Sequence, residues 1–593
     1  MPSSRAISVL LAMDRKSFFL GLLCLLGAFA LMYCQRTQVP PSVLDPEITM
    51  TQITTHPESL STPSDTTTFF DTSPSATYAS WDLSTPCVTL ENEEICVKVH
   101  IQSAAIKEVM LKKYPFKKDR AEPFIFNYNA KIPALDLQLG DMSEKPHYEL
   151  VTHEAQRLHF IGRYANGLTI EREYRLSNPD NPKEDPYVIH HRLCWENHGQ
   201  QPYPLQDVKL SLGSIPSAAS DTTGDFLNFG YFNGKKTFFV KHSEFASSSG
   251  FFGLGQRSTR STIQASDSIR WGSVKNQFFT SILTPHIAAS GYMARPTESL
   301  AKDQTTETLE GMTGALSFQL GWLQVREQKT LDTEFYVGPK DFVRLDRLGL
   351  EQDRVMQFGF FGFVSKILFL LMKAIHYLIP NWGLTIIAVT ILIRLLLWPL
   401  TRAQVRSSQQ MALIQGPLKQ IREKYNDQPQ KLQAETLKLF KEHQVNPAAG
   451  CLPIFVQIPI FLGLYSMLRT VVDLRFAEFL WIRDLSMPDT VAHIGSFSIN
   501  ILPWLMGITT FWQMRMTLSP GLDPIQRRIF QWMPWLFLFF CYNLPSGLIL
   551  YWTVQNVLSI VQQRHLAKKA PVSPKILPHE SMKKTKKSSS RPS

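Results

Sequence analysis

Between residues 81 and 345 apolar and polar positions alternate with a period of two. Val97, Val99 and Ile101 are interleaved with Lys98 and His100, the pattern of a strand with one buried face. Ile189, His191, Leu193 and Trp195 share one face of another strand, and Leu316, Phe318 and Leu320 one face of a third. Asn166-Gly167 divides the runs LHFIGRY and LTIEREYRL, and Asn233-Gly234 divides FGYF from KKTFFVK. Such dipeptides suit two-residue hairpin turns, whose central residues need positive φ. The pattern predicts a large all-β sandwich over 81–345.

After Leu345 the period becomes helical. Lys366, Lys373 and His376 fall on one face of an otherwise Phe-, Leu-, Ile- and Val-rich stretch at 355–378. The segment 346–380 therefore reads as an amphipathic helix in a membrane interface. Five apolar spans follow, at about 382–399, 450–468, 497–514, 529–543 and 546–562. Some are shorter than the about 20 residues of a typical span, and Pro453, Pro459, Pro503 and Pro534 interrupt them, which membrane helices tolerate. The loop 400–449 reads as two helices, 401–424 and 430–443, with apolar stripes Leu413, Leu418, Ile421 and Leu432, Leu437, Phe440. An antiparallel hairpin is expected there.

Near the N-terminus Arg15-Lys16 precedes the apolar run Ser17–Cys34. With no A-x-A-like site after it, residues 1–34 read as an uncleaved anchor. Residues 35–80 are Thr-, Ser- and Pro-rich and read as a linker with too little apolar surface to fold. The fold class expected is an α-helical polytopic membrane protein, with an anchor and a five-helix core at 381–566, carrying a β-sandwich domain.

Charge orients these parts. Residues 1–350 hold 34 Lys/Arg and 38 Asp/Glu, and 351–593 hold 27 and 12. The loop 400–449 carries eight Lys/Arg against four acids, and 515–528 carries Arg515, Arg527 and Arg528 against Asp523. The tail 564–593 carries nine cations against Glu580, whereas 469–496 holds three arginines and four acids. With six spans, all three basic stretches fall on the cytoplasmic side and 35–381 outside, as the positive-inside rule asks. Because the cations sit between membrane-grade spans, anionic lipid and ribosomal RNA are the expected polyanions, not DNA. Among seven cysteines there is no CxxC pair; Cys87 and Cys96 allow either a disulfide or two separate thiols. His159, His190 and His191 lack metal-ligand spacing. Neither a catalytic motif nor a cofactor site is legible.

Arg394 is the one charge in the span NWGLTIIAVTILIRLLLWPL. On this span alone it either snorkels to the interface or lines a wet cavity. Other spans favour the cavity. Thr390 lies one turn earlier on the same face, and Gln457 interrupts the next span. Asn500, Thr509, Thr510 and Gln513 mark the fourth segment; Tyr551, Gln555, Ser559 and Gln562 form a stripe on the last. Interhelical hydrogen bonding is the plainer account of such a stripe, but several polar faces turned toward one cation suit a shared groove.

The order NWG…IRLLLWPLTRAQ, VNPAAGCLPIFVQIPIFLGLYSML, LWIRDLS, DPIQRRI…MPWLF and LPSGLILYWTVQNVLSIVQQ resembles the YidC/Oxa/Alb family of membrane insertases over 381–563. RWGSVKNQFFTSILTP (270–285) and FYVGPKD (335–341) resemble the periplasmic domain of its Gram-negative members. The resemblance implies a bacterial inner-membrane protein with a periplasmic β-supersandwich and a five-helix core around a hydrophilic groove. It implies no covalent chemistry. Its implied partners are nascent membrane proteins, the Sec translocon with its accessory subunits, the ribosome (through the basic loops and the tail 567–593) and lipid. The groove arginine would be Arg394, with Thr390 and Gln457 beside it. Tyr551-Trp552 stands where many members carry Tyr-Tyr, so the second aromatic lacks a phenolic hydroxyl here. Two rivals are a secondary transporter, disfavoured by the lack of internal repeats, and an anchored carbohydrate-processing protein, for which no paired-carboxylate site is legible.

Overall fold

The structure is a computed structural model that describes residues 86–569, apart from 129, 141–145, 179–180, 182–183, 219–220, 222–223, 248–257, 301–307, 444–451, 496 and 518–523. The expected anchor, the linker and most of the basic tail lie outside the described residues. The chain divides into two compact units, one centred on residues up to Gln357 and one from Phe358 onward.

In the first unit the period-two pattern becomes two nine-stranded antiparallel sheets. One contains the strands Ala134–Leu139, Val208–Pro216, Thr308–Phe318 and Ala289–Leu300 side by side, with Ile263–Ile269 at the edge next to the last. The other runs from Thr237–Lys241 through Asn228–Phe232, Trp271–Lys275, Phe279–Pro285, Gln328–Pro339, Val188–Asn197, Leu168–Leu176 and Arg157–Arg163 to the edge strand His147–Glu154. The sheets face one another: Phe229 stacks on Tyr292 at 5.1 Å and Phe126 meets Phe335 edge-on at 6.5 Å. The Ser281 hydroxyl donates to Leu212 O across the same interface at 3.0 Å. Both expected hairpins form. Arg163 pairs with Thr169 and Phe232 with Thr237, with Gly167 at φ +86° and Gly234 at φ +83° in their turns.

The register settles the cysteine question. Cys87 lies opposite His100 while Cys96 lies opposite Glu91. The two thiols are therefore four strand steps apart, about 13 Å at about 3.3 Å per residue, well beyond disulfide reach. Both are free.

The core of this unit holds ionisable side chains whose polar atoms it satisfies by hydrogen bonding. Arg172 lies on the inward face of its strand with Leu168, Ile170 and Tyr174. It donates to Ser103 O at 3.2 Å and Leu135 O at 2.5 Å. Its neighbour His191 stacks on Tyr174 at 4.7 Å. Burial, with the Arg172 charge beside it, holds the His191 imidazole well below its usual value. Lys275 donates to Val355 O at 2.8 Å and to Gln357 Oε1 at 2.6 Å, and burial lowers its ammonium. Lys340 donates to Asn276 O at 3.0 Å, and burial brings it down to about 7.

These groups set the pH dependence of the β unit. Between about 7 and the usual 10.5 the unfolded chain carries a proton that folded Lys340 has released, so stability rises with pH there. His191 acts in the same sense lower down: the unfolded imidazole binds a proton below its ordinary value, and stability falls with it. Hydrogen exchange of 87–340 is expected to slow steadily from about pH 5.5 to about pH 9, after correction for intrinsic exchange rates. A maximum near neutrality would contradict this.

The second unit is helical. After α1 (Phe342–Arg347), which belongs to the first unit, come α2 (Gly362–Leu378), α3 (Trp382–Leu396), α4 (Trp398–Leu413), α5 (Gln415–Lys424) and α6 (Pro429–Glu442). Then follow α7 (Leu452–Thr470), α8 (Leu502–Thr517), α9 (Pro524–Cys541) and α10 (Ser546–Lys569). Helix α10 packs on both α3 and α8, and α8 on α9. Gly383 allows α3 to lie against Phe479, since a Cβ there would come within 2.1 Å of the ring. Among the described residues no single helix is long and apolar enough to cross a bilayer. The pair α3–α4 is so together, with a 61° bend between them.

Three boundaries differ from expectation. Helix α3 ends at Leu396, not 399, because Pro399 cannot donate to a continuing helix and sits in the first turn of α4 instead. The segment expected to start a span at 497 is a strand, Phe497–Asn500, paired with Thr490–Ile494. The helix 401–424 is two helices broken at Ile414, so Ile414 packs with Leu418 and Leu439 while Leu413 is exposed. In α2 the basic face is not turned to solvent. Lys373 meets Asp473 at 3.3 Å and His376 stacks on Trp382 at 3.9 Å, whereas Phe363, Ile367, Leu370 and Leu378 are exposed.

Candidate functional site

Helices α3, α7 and α10 bring five of the expected residues together. Arg394 sits near the C-terminal end of α3, in a helix with no other charge. Its Nε donates to Gln555 Oε1 at 2.9 Å, and its Nη2 to the main-chain oxygen of Gln555 at 3.1 Å and to Ser559 Oγ. The Gln555 amide nitrogen donates to Gln457 Oε1 at 2.6 Å. Gln457 in turn donates to the Tyr551 hydroxyl at 2.7 Å. Tyr551, Gln555 and Ser559 recur every four residues, so each step turns only about 40° around α10 and all reach the same neighbours. Tyr551, Gln555 and Ser559 are buried, whereas Arg394 and Gln457 are partly exposed. No carboxylate faces the guanidinium among the described residues; its acceptors there are amide, hydroxyl and carbonyl oxygens.

The other expected residues sit elsewhere. Thr390 is fully buried and donates to Ile386 O at 2.6 Å, one turn back in its own helix. Thr510 and Thr509 accept from Asn556 at 2.8 and 3.1 Å, joining α8 to a different face of α10. Asn500 is buried at the end of the short hairpin, where its amide donates to Tyr542 O at 2.8 Å. Trp552 lies between Phe461 and Phe537, with ring centres 4.6 and 4.9 Å away. Asn556 is an addition to the sequence reading. Its signal is an amide side chain in an apolar helix, one residue and about 100° from Gln555.

The profile of the family described as "60Kd inner membrane protein" matches residues 374–573, and that of the "YidC periplasmic domain" matches 87–371. The chain belongs to the YidC family. The membrane protein insertase YidC of Endomicrobium trichonymphae is 40% identical over 250 residues, 42% of this chain and 48% of that protein. The insertase YidC of Legionella pneumophila (strain Paris) is 28% identical over 502 residues, 81% of this chain and 84% of the relative. Against the first group of relatives, which includes that of Endomicrobium, the chain spans about half their length. Among solved structures, an active YidC insertase with its first transmembrane domain resolved is 19% identical, with a TM-score of 0.33, covering 82% of this chain and 95% of that one. YidC from Thermotoga maritima is 14% identical, with a TM-score of 0.25, covering 80% and 99%. YidC-family proteins are inner-membrane proteins with a periplasmic domain, and the β-rich unit is that domain here.

Proposed function

We propose that the chain is an insertase that moves newly made membrane proteins into the bacterial inner membrane and helps them fold, alone or with the Sec translocon and its accessory subunits. The observation that carries the reading is Arg394: a half-buried guanidinium between apolar helices, held by Gln555 and Ser559 with no carboxylate opposite among the described residues. A permanent cation without a counter-ion raises the local potential and attracts anionic groups. Moving an ionised carboxylate through bare hydrocarbon is prohibitively costly. A nascent segment with an acidic flank would lower that cost by passing the Arg394 cluster, while its apolar part leaves along the greasy faces of α7 and α10.

In this reading α3, α7, α8, α9 and α10 form the membrane core and α2 lies in the outer interface. The apolar surface of α2 and the exposed Trp504, Leu505, Ile508 and Trp512 of α8 suit lipid contact. The basic hairpin α5–α6 and the tail lie in the cytoplasm, where they meet the ribosome and anionic headgroups. Two experiments test this. Purified protein in liposomes should give protease-protected insertion of a small single-span substrate, and empty liposomes should not. In intact cells, cysteines placed at 410–440 should escape an impermeant thiol reagent while cysteines at 60–75 react; labelling at 410–440 would overturn the topology.

A further inference from the structure

Arginine carries hydrogen-bond donors and no acceptor. Arg394 Nε therefore requires the oxygen of the Gln555 amide to face it, at 2.9 Å; the flipped amide would set N–H against N–H. With its oxygen so committed, Gln555 turns its NH2 toward Gln457 Oε1, 2.6 Å away. That occupies the oxygen of Gln457, so the NH2 of Gln457 meets the Tyr551 hydroxyl at 2.7 Å. The tyrosine oxygen accepts, and its own proton remains to be given. One cation thus fixes the direction of the whole chain.

The result is a lopsided site. Both side-chain amide oxygens are engaged, and so is the main-chain oxygen of Gln555. Arg394 Nη1, the second N–H of Gln457 and the Tyr551 O–H have no acceptor among the described residues. We infer that Gln555 relays the polarity that Arg394 fixes, so that the site offers donors as far as Tyr551 and selects acceptor-bearing flanks, meaning carboxylates and unpaired main-chain carbonyls, over ammonium-bearing ones. The inference rests on the insertase reading above and adds a specificity-determining residue to it. Gln555 does so because its amide carries both an acceptor and donors: it accepts from the cation and passes a donor onward, which no ionised carboxylate can do.

The test uses the full chain in liposomes with single-span substrates matched except for Asp, Asn or Lys in the translocated flank. In Gln555→Glu the carboxylate takes the Arg394 donors and offsets the charge. Gln457 must then turn its NH2 to the new carboxylate and accept from Tyr551, which reverses the chain. The Asp-to-Lys insertion ratio is expected to fall by about tenfold or more. Gln457→Glu, which leaves the Arg394–Gln555 contact intact but turns Tyr551 round, should move the ratio the same way. Gln555→Leu breaks the link but keeps the cation, so total insertion drops while Asp stays ahead of Lys. If both Glu variants insert substrate and keep the wild-type ratio, the inference is overturned; a uniform loss over all three flanks is that same result. A wild type indifferent to the flank would instead sink the insertase reading of Arg394, a distinct outcome.

Discussion

Arg394→Ala is expected to lower insertion of segments with acidic translocated flanks by about tenfold or more, the scale of hydrogen bonds to a charged group. Substrates with neutral flanks should lose much less. Arg394→Lys should retain part of the acidic-flank activity, because the charge persists. It should not retain all of it, because an ammonium cannot reach Gln555 Oε1, Gln555 O and Ser559 Oγ together through a planar fork. The snorkelling alternative predicts that Arg394→Ala is tolerated by every substrate, since an apolar residue suits lipid better. Equal losses for acidic and neutral flanks would mark a folding defect. The two flanks measured at equal protein levels separate these cases.

Arg172→Ala is expected to be the most damaging single change in the β unit, at about 3 kcal/mol or more. It would leave the carbonyls of Ser103 and Leu135 buried without their donor, each worth about 1–3 kcal/mol when orphaned. It would also open a cavity beside Tyr148 and Tyr174, whose rings lie 5.9 and 5.6 Å from the guanidinium carbon. Arg172→Met restores much of the volume but neither hydrogen bond, and should fall between. Because α3–α10 lie in the other unit, proteolysis of the full chain should show 87–340 becoming sensitive first. Wild-type resistance of the Arg172→Ala β unit would contradict this account of its core.

Arg172 also shows how much the sequence discloses. In LTIEREYRL it takes an inward position at period two with Leu168, Ile170 and Tyr174, so its burial is legible once the inner face is chosen. The sandwich was readable for the same reason: alternation and the Asn-Gly turns are local. Register is not local, and only pairing shows that Cys87 meets His100 and not Cys96. The strand Phe497–Asn500 was hidden because its apolar alternation runs directly into the apolar helix α8. At the candidate site the four-residue spacing of Tyr551, Gln555 and Ser559 fixes a shared face, and a lone Gln457 advertises a partner. A polar residue in an apolar helix does not say which partner. Asn500 serves a hairpin and Thr510 serves Asn556, as the packing of the helices decides.

A photoreactive residue at position 457, beside Arg394 and Gln555, and a second at exposed Trp504 would test the central claim most directly. Ribosome-bound nascent chains of increasing length would be presented to each in native membranes. The account predicts that the acidic flank crosslinks at 457 within a narrow window of chain lengths, and at 504 weakly or not at all. Crosslinking of the flank at 504 with none at 457 would contradict it, since the flank would then enter the membrane without passing the Arg394 cluster.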